Sequence, residues 1–352
     1  MSRSKLLLRR IIGDKLFSSM QYIKRRFVNE PGYIKKAIGA RYSDREYAAR
    51  LRADILLCKK DFGADISDYF TLGFEHKSSE ERKKYITEES RFRYYEILNK
   101  DEDIEIFHDK YKTYEVFKPF YMREVVLIND ESDRDKYYDF IIKHPRFVVK
   151  TCRGASGTGV SVVNVEKGRE ESAFRKLRRK MPLVLEEIIV QKETMAALHH
   201  ESINTCRITT VLINDSCHIL NPAVRIGRGS GIVDNAGAGG FFAPVDVESG
   251  KIVQDAFDIY GLRYSKHPES NIVFSGFIVP EWGEALALAE KLCRLVPTTR
   301  YTGWDLALSD KGWMMVEGNC WAQFKMIQAN GGVKEKMDDL CRSAILVEEL
   351  ST

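Results

Sequence analysis

Tyr301-Thr-Gly-Trp-Asp-Leu-Ala-Leu-Ser-Asp-Lys-Gly-Trp-Met-Met-Val-Glu-Gly-Asn-Cys320 reads as two short apolar segments around Ser309-Asp310-Lys311-Gly312. The pattern predicts a β-hairpin with a three-residue loop whose last position, Gly312, takes positive φ. With the turn centred on Lys311, Asp305 falls opposite Glu317. Side chains alternate along a strand, so Asn319, two residues beyond Glu317, faces the same side. Three oxygen-bearing side chains gathered at strand ends suit a hard cation, magnesium above all, held between protein and phosphate oxygens. On spacing alone the segment could equally be a solvated hairpin with charges at its rim. The stretches upstream favour the first reading.

Phe147-Val-Val-Lys150 reads as a buried strand that delivers a lysine at its end, and Thr151-Cys-Arg-Gly-Ala-Ser-Gly-Thr-Gly159 follows at once. Val160-Ser-Val-Val163 resumes as a strand. The glycine loop therefore joins two strands, unlike the strand–loop–helix of a P-loop or a dinucleotide fingerprint. Such a loop lets backbone N–H groups approach phosphate oxygens, and Lys150 is placed to neutralise an α- or β-phosphate. Val184-Leu-Glu-Glu-Ile-Ile-Val190 is a strand interrupted by two carboxylates. Glu186 is the favoured acceptor for an adenine amine, and a one-residue slip would hand that face to Glu187. Either carboxylate could instead be a charge that keeps an edge strand soluble. Asp305 and Glu317 would then hold magnesium between the β- and γ-phosphates.

Between these stretches lie two further strands, Arg207–Ile213 and Cys217–Val224, with Asn214-Asp215-Ser216 as their turn. Val224-Arg-Ile-Gly-Arg-Gly-Ser-Gly231 and Asp234-Asn-Ala-Gly-Ala-Gly-Gly240 are polar and glycine-rich, better suited to a site than to packing. Asp234 and Asn235 could also form an Asx turn. Helices are expected over 133–143, over 169–180, from Pro280 through Ala285–Leu292, and over 332–350. Near the N-terminus Ser43-Asp-Arg-Glu46 has the form of a capping box opening a helix that ends near Phe62-Gly63. Helical pieces follow within 79–98.

The chain has 352 residues, room for two or three packed lobes. We expect a basic, helical N-terminal region over 1–100, a central lobe over 101–190 and a C-terminal lobe over 191–345. Residues 1–38 carry ten lysines and arginines against Asp14 and Glu30, on an imperfect apolar stripe. They could lie on an anionic membrane surface or dock on the body of the protein. A net charge of +4 does not argue for nucleic acid, and none is expected as a partner. Seven scattered cysteines give no disulfide framework and no close metal pair, which argues for a reducing, cytoplasmic setting. No apolar core with a cleavage site opens the chain, which argues against secretion. Adjacent His199 and His200 point different ways on any regular element and have no third partner at zinc spacing.

The ordered series of these segments resembles the ATP-grasp superfamily, and more narrowly its sugar-transfer-associated members found with exopolysaccharide biosynthesis. Asp109-Lys110-Tyr111 is similar to the first lysine segment. Phe147–Lys150 with Gly154–Gly159 is similar to the second lysine strand and its phosphate flap, and Leu185-Glu-Glu-Ile-Ile189 to the hinge that clamps adenine. Ser202-Ile-Asn-Thr-Cys-Arg207, Arg225-x-Gly-x-Arg228 and Asp234-Asn235 through Gly239-Gly240 resemble segments of the narrower family. Gly303-Trp-Asp305 and Glu317-Gly-Asn319 resemble the metal-binding end. The likeness covers roughly residues 100–330. The chain departs from the pattern at Cys320 and at the apolar Trp321-Ala322.

The resemblance implies an α+β, ATP-grasp fold, with two mixed α/β lobes clasping a nucleotide. It implies ATP bound by Lys110, Lys150, Gly154, Ser156, Gly157, Thr158, Gly159, Glu186, Glu187 and Ile189. Magnesium is expected on Asp305, Glu317 and Asn319, and Arg207, Arg225 and Arg228 near phosphate or a substrate carboxylate. The reaction implied joins a carboxylate to an amine, or a similar nucleophile, through an acyl phosphate. The nearest alternatives are a phosphotransferase acting on a sugar or lipid-linked saccharide, and a nucleotide-binding protein without turnover. The expected setting is cytoplasmic, with residues 1–30 able to bring the chain to the inner face of the cell membrane.

Overall fold

The computed structural model of the chain describes residues 30–154, 159–231, 234 and 239–351. Expectations for Ser156, Gly157, Thr158 and Asn235, and for the basic segment before residue 30, fall outside these. In chain order the helices and strands are α1 (Glu30–Ile38), α2 (Arg45–Phe62), α3 (Ile66–Thr71), α4 (Ser79–Arg82), α5 (Arg91–Leu98), α6 (Asp101–His108), α7 (Lys110–Tyr121), β1 (Val125–Ile128), α8 (Arg134–Lys143), β2 (Arg146–Thr151), β3 (Val160–Asn164), α9 (Glu170–Leu177), β4 (Leu183–Glu187), α10 (Glu193–Ala196), β5 (Thr205–Ile213), β6 (Ser216–Ile226), β7 (Phe241–Pro244), β8 (Ala256–Phe257), β9 (Arg263–Tyr264), α11 (Trp282–Arg294), β10 (Tyr301–Ser309), β11 (Gly312–Asn319), α12 (Phe324–Ile327) and α13 (Lys334–Ser351).

The strands form two antiparallel sheets. The smaller runs β1-β4-β2-β3 and the larger β11-β10-β5-β6-β7-β8-β9. Strand alternation gives the smaller sheet two different faces. Ile128, Phe147, Val149, Leu183 and Leu185 point to α8 and α9, where they pack with Tyr137, Phe140 and Phe174. Val125 and Val184 point the other way, into the main core shared with α7, α11 and the larger sheet. Lys150 and Glu186 share that second face, because Lys150 pairs with Val184 and Glu186 with Val148 and Val125.

On the larger sheet Trp304, Leu306 and Leu308 of β10 enter the main core. Tyr301, with Val211 and Ile213, lies in a second core closed by α5, α12 and α13. The N-terminal helices divide their apolar residues between this second core, through Ile86, Tyr94, Tyr95 and Leu98, and a third one around Ile34, Leu51, Ile55, Tyr69 and Phe74. Among the described residues no helix is long and apolar enough to cross a membrane.

Local departures from expectation have simple causes. The cap of α2 is Asp44, whose side chain accepts from Tyr47 N at 3.0 Å, and Ser43 turns back to donate to Ala40 O instead. Pro280 does not open α11, because Glu281 takes a left-handed conformation and the helix starts at Trp282. Ile213 pairs with Ser216, leaving a two-residue turn in which Asn214 and Asp215 both have positive φ, as hairpin twist favours.

The central hairpin is likewise tighter than expected. Ser309 pairs with Gly312, so Asp310 and Lys311 alone form its tip, and Gly312 has φ of 102°. That register by itself would set Asp305 against Val316. A bulge restores the expected pairing: Leu306 faces Met315, then Asp305 faces Glu317, with Val316 as the extra residue.

Candidate active site

Register builds one row of side chains across the larger sheet. Glu317 faces Asp305, Asp305 faces Arg207, and Arg207 faces Ala223. One step along, Asn319 faces Gly303 and Thr205 faces Arg225. Directly opposed residues share a face, and so do residues two apart. The alternation therefore collects Glu317, Asn319, Asp305, Arg207 and Arg225 on one surface, from segments spread over more than a hundred residues.

Within this row Asp305 is the hub. Arg207 grips it with two bonds, Nε to Oδ1 at 2.6 Å and Nη2 to Oδ2 at 2.8 Å. Arg225 adds Nη1 to Oδ2 at 2.6 Å and reaches Asp234 Oδ1 from Nη2 at 3.1 Å. Gly303 makes this possible, since a Cβ there would lie 3.0 Å from Arg207 Cδ and 2.6 Å from Ala322 Cβ. Burial pushes the Asp305 carboxyl up, but the two guanidiniums outweigh it and hold it at about 2. Asn319 donates from Nδ2 to Asp305 Oδ2 at 3.4 Å. Asp234 also accepts from Thr205 N at 3.0 Å, so it anchors the start of β5 as well as Arg225.

Glu317 is different. No hydrogen bond or ion pair to its side chain is found among the described residues. Burial, and then the charge of Asp305, raise its pKa against the pull of Lys150, Lys110 and Arg207. It is the uncompensated carboxylate of the site, and both candidate phosphate lysines lie within its electrostatic reach. Lys110 starts α7, where the Asp109 side chain caps the helix by accepting from Tyr111 N and Lys112 N. Its ammonium donates to Gly154 O at 2.7 Å, at the entrance of the glycine loop. Burial lowers its pKa, Glu317 opposes that, and the neighbouring charge of Lys150 adds to it.

Lys150 stands on β2 and pairs with Glu186 Oε1 at 2.7 Å. Arg123, just before β1, donates to Glu186 Oε2 from Nε at 2.9 Å and from Nη2 at 2.7 Å. Burial raises the Glu186 pKa, and the two cations bring it down to about 2. The oxygens of Glu186 are buried and bonded to Lys150 and Arg123, partners that the adenine expectation did not include. Glu187 points to the opposite face, accepting from Glu124 N at 2.9 Å, and Ile189 lies half-buried in the connection that follows β4. Thr151 and Gly159 close the neck of the loop. Gly159 has φ of 84°, and a Cβ there would meet Thr151 Oγ1 at 2.5 Å, so only glycine fits.

Of the expected arginines, Arg207 is bonded to Asp305, and Arg225 to Asp305 and Asp234. Arg228 is exposed and lies over the rings of Phe241 and Tyr264, at 5.3 and 5.4 Å from their centroids. His199 bonds Ser202 Oγ and Gly229 O, both at 2.9 Å, and serves the packing of that loop. Arg123 was not singled out from the sequence. It joins the two sheets, since its Nη1 donates to Met315 O of β11 at 2.7 Å. The one signal for it is an arginine placed two residues before an apolar strand, on the parity of Val125.

The magnesium that the resemblance implies fits this donor set in part. Glu317 and the Asn319 carboxamide oxygen are open to a cation. Asp305 lies behind them, neutralised by two guanidiniums. Among the described residues no group of three or more His, Cys, Asp or Glu side chains is placed to hold a metal by itself, so phosphate or water oxygens would have to complete the shell.

Two antiparallel sheets that bring a lysine-bearing strand and its glycine loop against a carboxylate hairpin define an ATP-grasp protein. The chain belongs to the sugar-transfer associated ATP-grasp family, whose family model matches residues 89–340. A comparison with curated proteins finds no match. Among solved structures the chain is similar to the ATP-grasp ligase PsnB complexed with the precursor peptide PsnA2 and AMPPNP, at 12% identity and a TM-score of 0.42, covering 72% of this chain and 65% of that one. It is also similar to D-alanine–D-alanine ligase from Helicobacter pylori, at 16% identity and a TM-score of 0.43, covering 68% of this chain and 61% of that one. A third is N5-carboxyaminoimidazole synthetase from Staphylococcus aureus complexed with ADP, at 13% identity and a TM-score of 0.42, covering 65% of this chain and 48% of that one. The chain thus spans less than two thirds of the length of each.

Proposed function

We propose that the chain is an ATP- and magnesium-dependent ligase that joins a carboxylate to an amine, or a similar nucleophile, through an acyl phosphate, in exopolysaccharide or capsule biosynthesis. The observation that carries this reading is that Lys150, paired with Glu186, and Lys110, bonded to Gly154 O at the glycine loop, both act electrostatically on Glu317 of the larger sheet. Two lysines near a carboxylate that lacks a hydrogen-bonded partner among the described residues match a polyanion with a divalent counter-ion between its phosphates and the protein.

Each group then has a task. Lys150, oriented by Glu186, and Lys110, set by its helix cap, take phosphate oxygens. Backbone N–H groups beside Gly154 and Gly159, the described ends of the glycine loop, are free of side chains that would keep phosphate oxygens away. The backbone around Glu187 and Ile189 reads the base edge, now that Glu186 is otherwise engaged. Glu317 and Asn319 would hold the magnesium, which would supply neutralisation of the charge developing on the transferred phosphoryl group. Arg207 and Arg225 keep fixed positive charge beside the place where the acyl phosphate forms and its phosphate leaves. No protein nucleophile is needed. The basic composition of residues 1–30 suits a peripheral contact with anionic lipid, useful for an acceptor made at the membrane.

The test is a turnover screen of the purified chain with ATP, magnesium, and panels of carboxylates and amines, reading ADP and product mass. The expected product has the summed mass of both substrates less water, and ADP release stops when magnesium is chelated. A product that gains a phosphate would make the chain a phosphotransferase. Product formed without magnesium-dependent ADP release would end the ligase reading.

A further inference from the structure

Of the four tryptophans, Trp282, Trp304 and Trp313 are buried to 6% exposure or less, while Trp321 is 51% exposed. A large indole left in water is informative where its backbone is held rigidly, and here it is. Cys320 O accepts from the buried Asn99 side chain, whose Oδ1 in turn accepts from Tyr301 N at 2.8 Å. Ala322 O accepts from Tyr95 and Tyr301 hydroxyls, both at 2.9 Å. The Tyr301 ring is stacked on Phe324 at 4.8 Å. The peptide before and after Trp321 is therefore fixed, and its side chain is presented outward from a stiff mount.

The place of presentation is beside the start of the helix that carries Lys110. Trp321 follows the end of the hairpin, two residues beyond Asn319. Its ring meets His108 edge-on at 5.0 Å, and His108 stands two residues before Lys110. His108 Nδ1 lies 3.8 Å from Glu105 Oε1. Glu105 Oε2 bonds Arg153 Nη2 at 2.7 Å, with both side chains more than half exposed. Arg153 adjoins Gly154, where the Lys110 ammonium rests. One half-exposed apolar plane thus meets an imidazole, which leads on to a carboxylate and a guanidinium next to Gly154.

We infer that Trp321 is the acceptor-side platform of the site, taking the C–H face of a pyranose ring while Glu105, Arg153 and His108 address its hydroxyls. A pyranose has both properties that this surface calls for: a flat face of C–H groups and a periphery of donors and acceptors. A linear amino acid has no such face, and a plain aromatic ring has no hydroxyls to offer the polar rim. The inference rests on the ligase reading in that this pyranose would be a substrate beside the nucleotide.

Acrylamide quenching of the intrinsic fluorescence reports Trp321, because the other tryptophans are shielded. Methyl β-D-glucopyranoside, methyl β-D-galactopyranoside and glucuronate are titrated with and without AMPPNP and magnesium, with sorbitol and benzyl alcohol as the linear and aromatic arms. Protection by at least one pyranoside and by neither control is expected. Ligand-detected NMR then compares wild type with Trp321→Ala and Trp321→Phe. Pyranoside affinity should fall about five- to tenfold in the first and within about twofold in the second. AMPPNP affinity, measured separately, should be unchanged in both variants, which also shows that they fold. Equal pyranoside affinity in Trp321→Ala, or protection by benzyl alcohol alone, would overturn the assignment. Loss of AMPPNP binding by wild type would instead strike the ligase reading, and the nucleotide-free titration would still decide for or against the platform.

Discussion

Glu186 does its work by being surrounded. Its carboxyl, held at about 2 between Lys150 and Arg123, is ionised in the fold at pH values where it would be protonated in the unfolded chain. A group with a depressed folded pKa stabilises above its unfolded pKa and loses that stabilisation as pH falls through the folded one. Glu186→Gln should therefore cost about 3–5 kcal/mol at pH 7, because two buried cations lose their counter-charge. The gap to wild type should narrow between about pH 4.5 and 2, as the native carboxyl also takes a proton. Urea unfolding at several pH values measures it, and a gap independent of pH would mean that the pairing is not what holds the site. Gly303 is the second residue whose identity is set by a neighbour. Gly303→Ala pushes a methyl group against Ala322 and the Arg207 stem. It should lower stability by about 1–3 kcal/mol and reduce magnesium-dependent ATP turnover more than ATP affinity. An unchanged melting temperature together with unchanged turnover would show that Arg207 has other room.

At the scale of the hairpin, the Asp305–Glu317 pairing was legible in the sequence, and its cause was not. Counting from a loop centred on Lys311 gives the right partner, yet the extra residue sits at Val316 and not in the turn. Both placements satisfy the same count, and only the hydrogen-bond ladder distinguishes them. The consequence is testable. One glycine inserted between Asp310 and Lys311, both exposed, should change stability by less than about 1 kcal/mol. Deleting Val316 removes the bulge yet leaves Glu317 next after Met315 and so still opposite Asp305, so magnesium-dependent ATP turnover should persist, with structure followed by circular dichroism. Loss of turnover in a folded deletion variant would show that the bulge itself positions Glu317. The same alternation decides between Glu186 and Glu187. Their order in sequence is symmetrical, and only the pairing of Glu186 with Val125 and Val148 tells which one joins Lys150.

Across the whole molecule, residues 30–88 lie before the family match yet help to seat its metal-binding end. Lys325, six residues past Asn319, extends its ammonium towards Asp65 at 3.3 Å, Asp68 at 3.4 Å and Glu88 at 3.8 Å. Burial alone would lower its pKa, and the three carboxylates push it well up instead. Nearby, the Gln328 side chain both accepts from Ile86 N and donates to Ile86 O, each at 2.7 Å. Lys325→Met should cost about 3–5 kcal/mol, since it leaves the buried Asp68 carboxylate without its cation. Acidification towards pH 5 should recover part of the loss as that carboxylate protonates. A midpoint in urea close to wild type would show that the N-terminal helices are held by their apolar contacts alone. None of these carboxylates carries a motif, and only their meeting around Lys325 marks them.

The sequence by itself determined the elements, the order of the site segments and the side of each strand that carries charge. Those depend on periods of two and 3.6 residues and on glycines that admit positive φ, all of them local. Which charges meet was decided by the tertiary structure. Arg123 finding Glu186, Arg207 and Arg225 closing on Asp305, and Glu317 being left to face two lysines depend on sheet order and on register between segments far apart in the chain. Electrostatic pairing acts over a few ångströms, and distance along a sequence says little about distance of that kind.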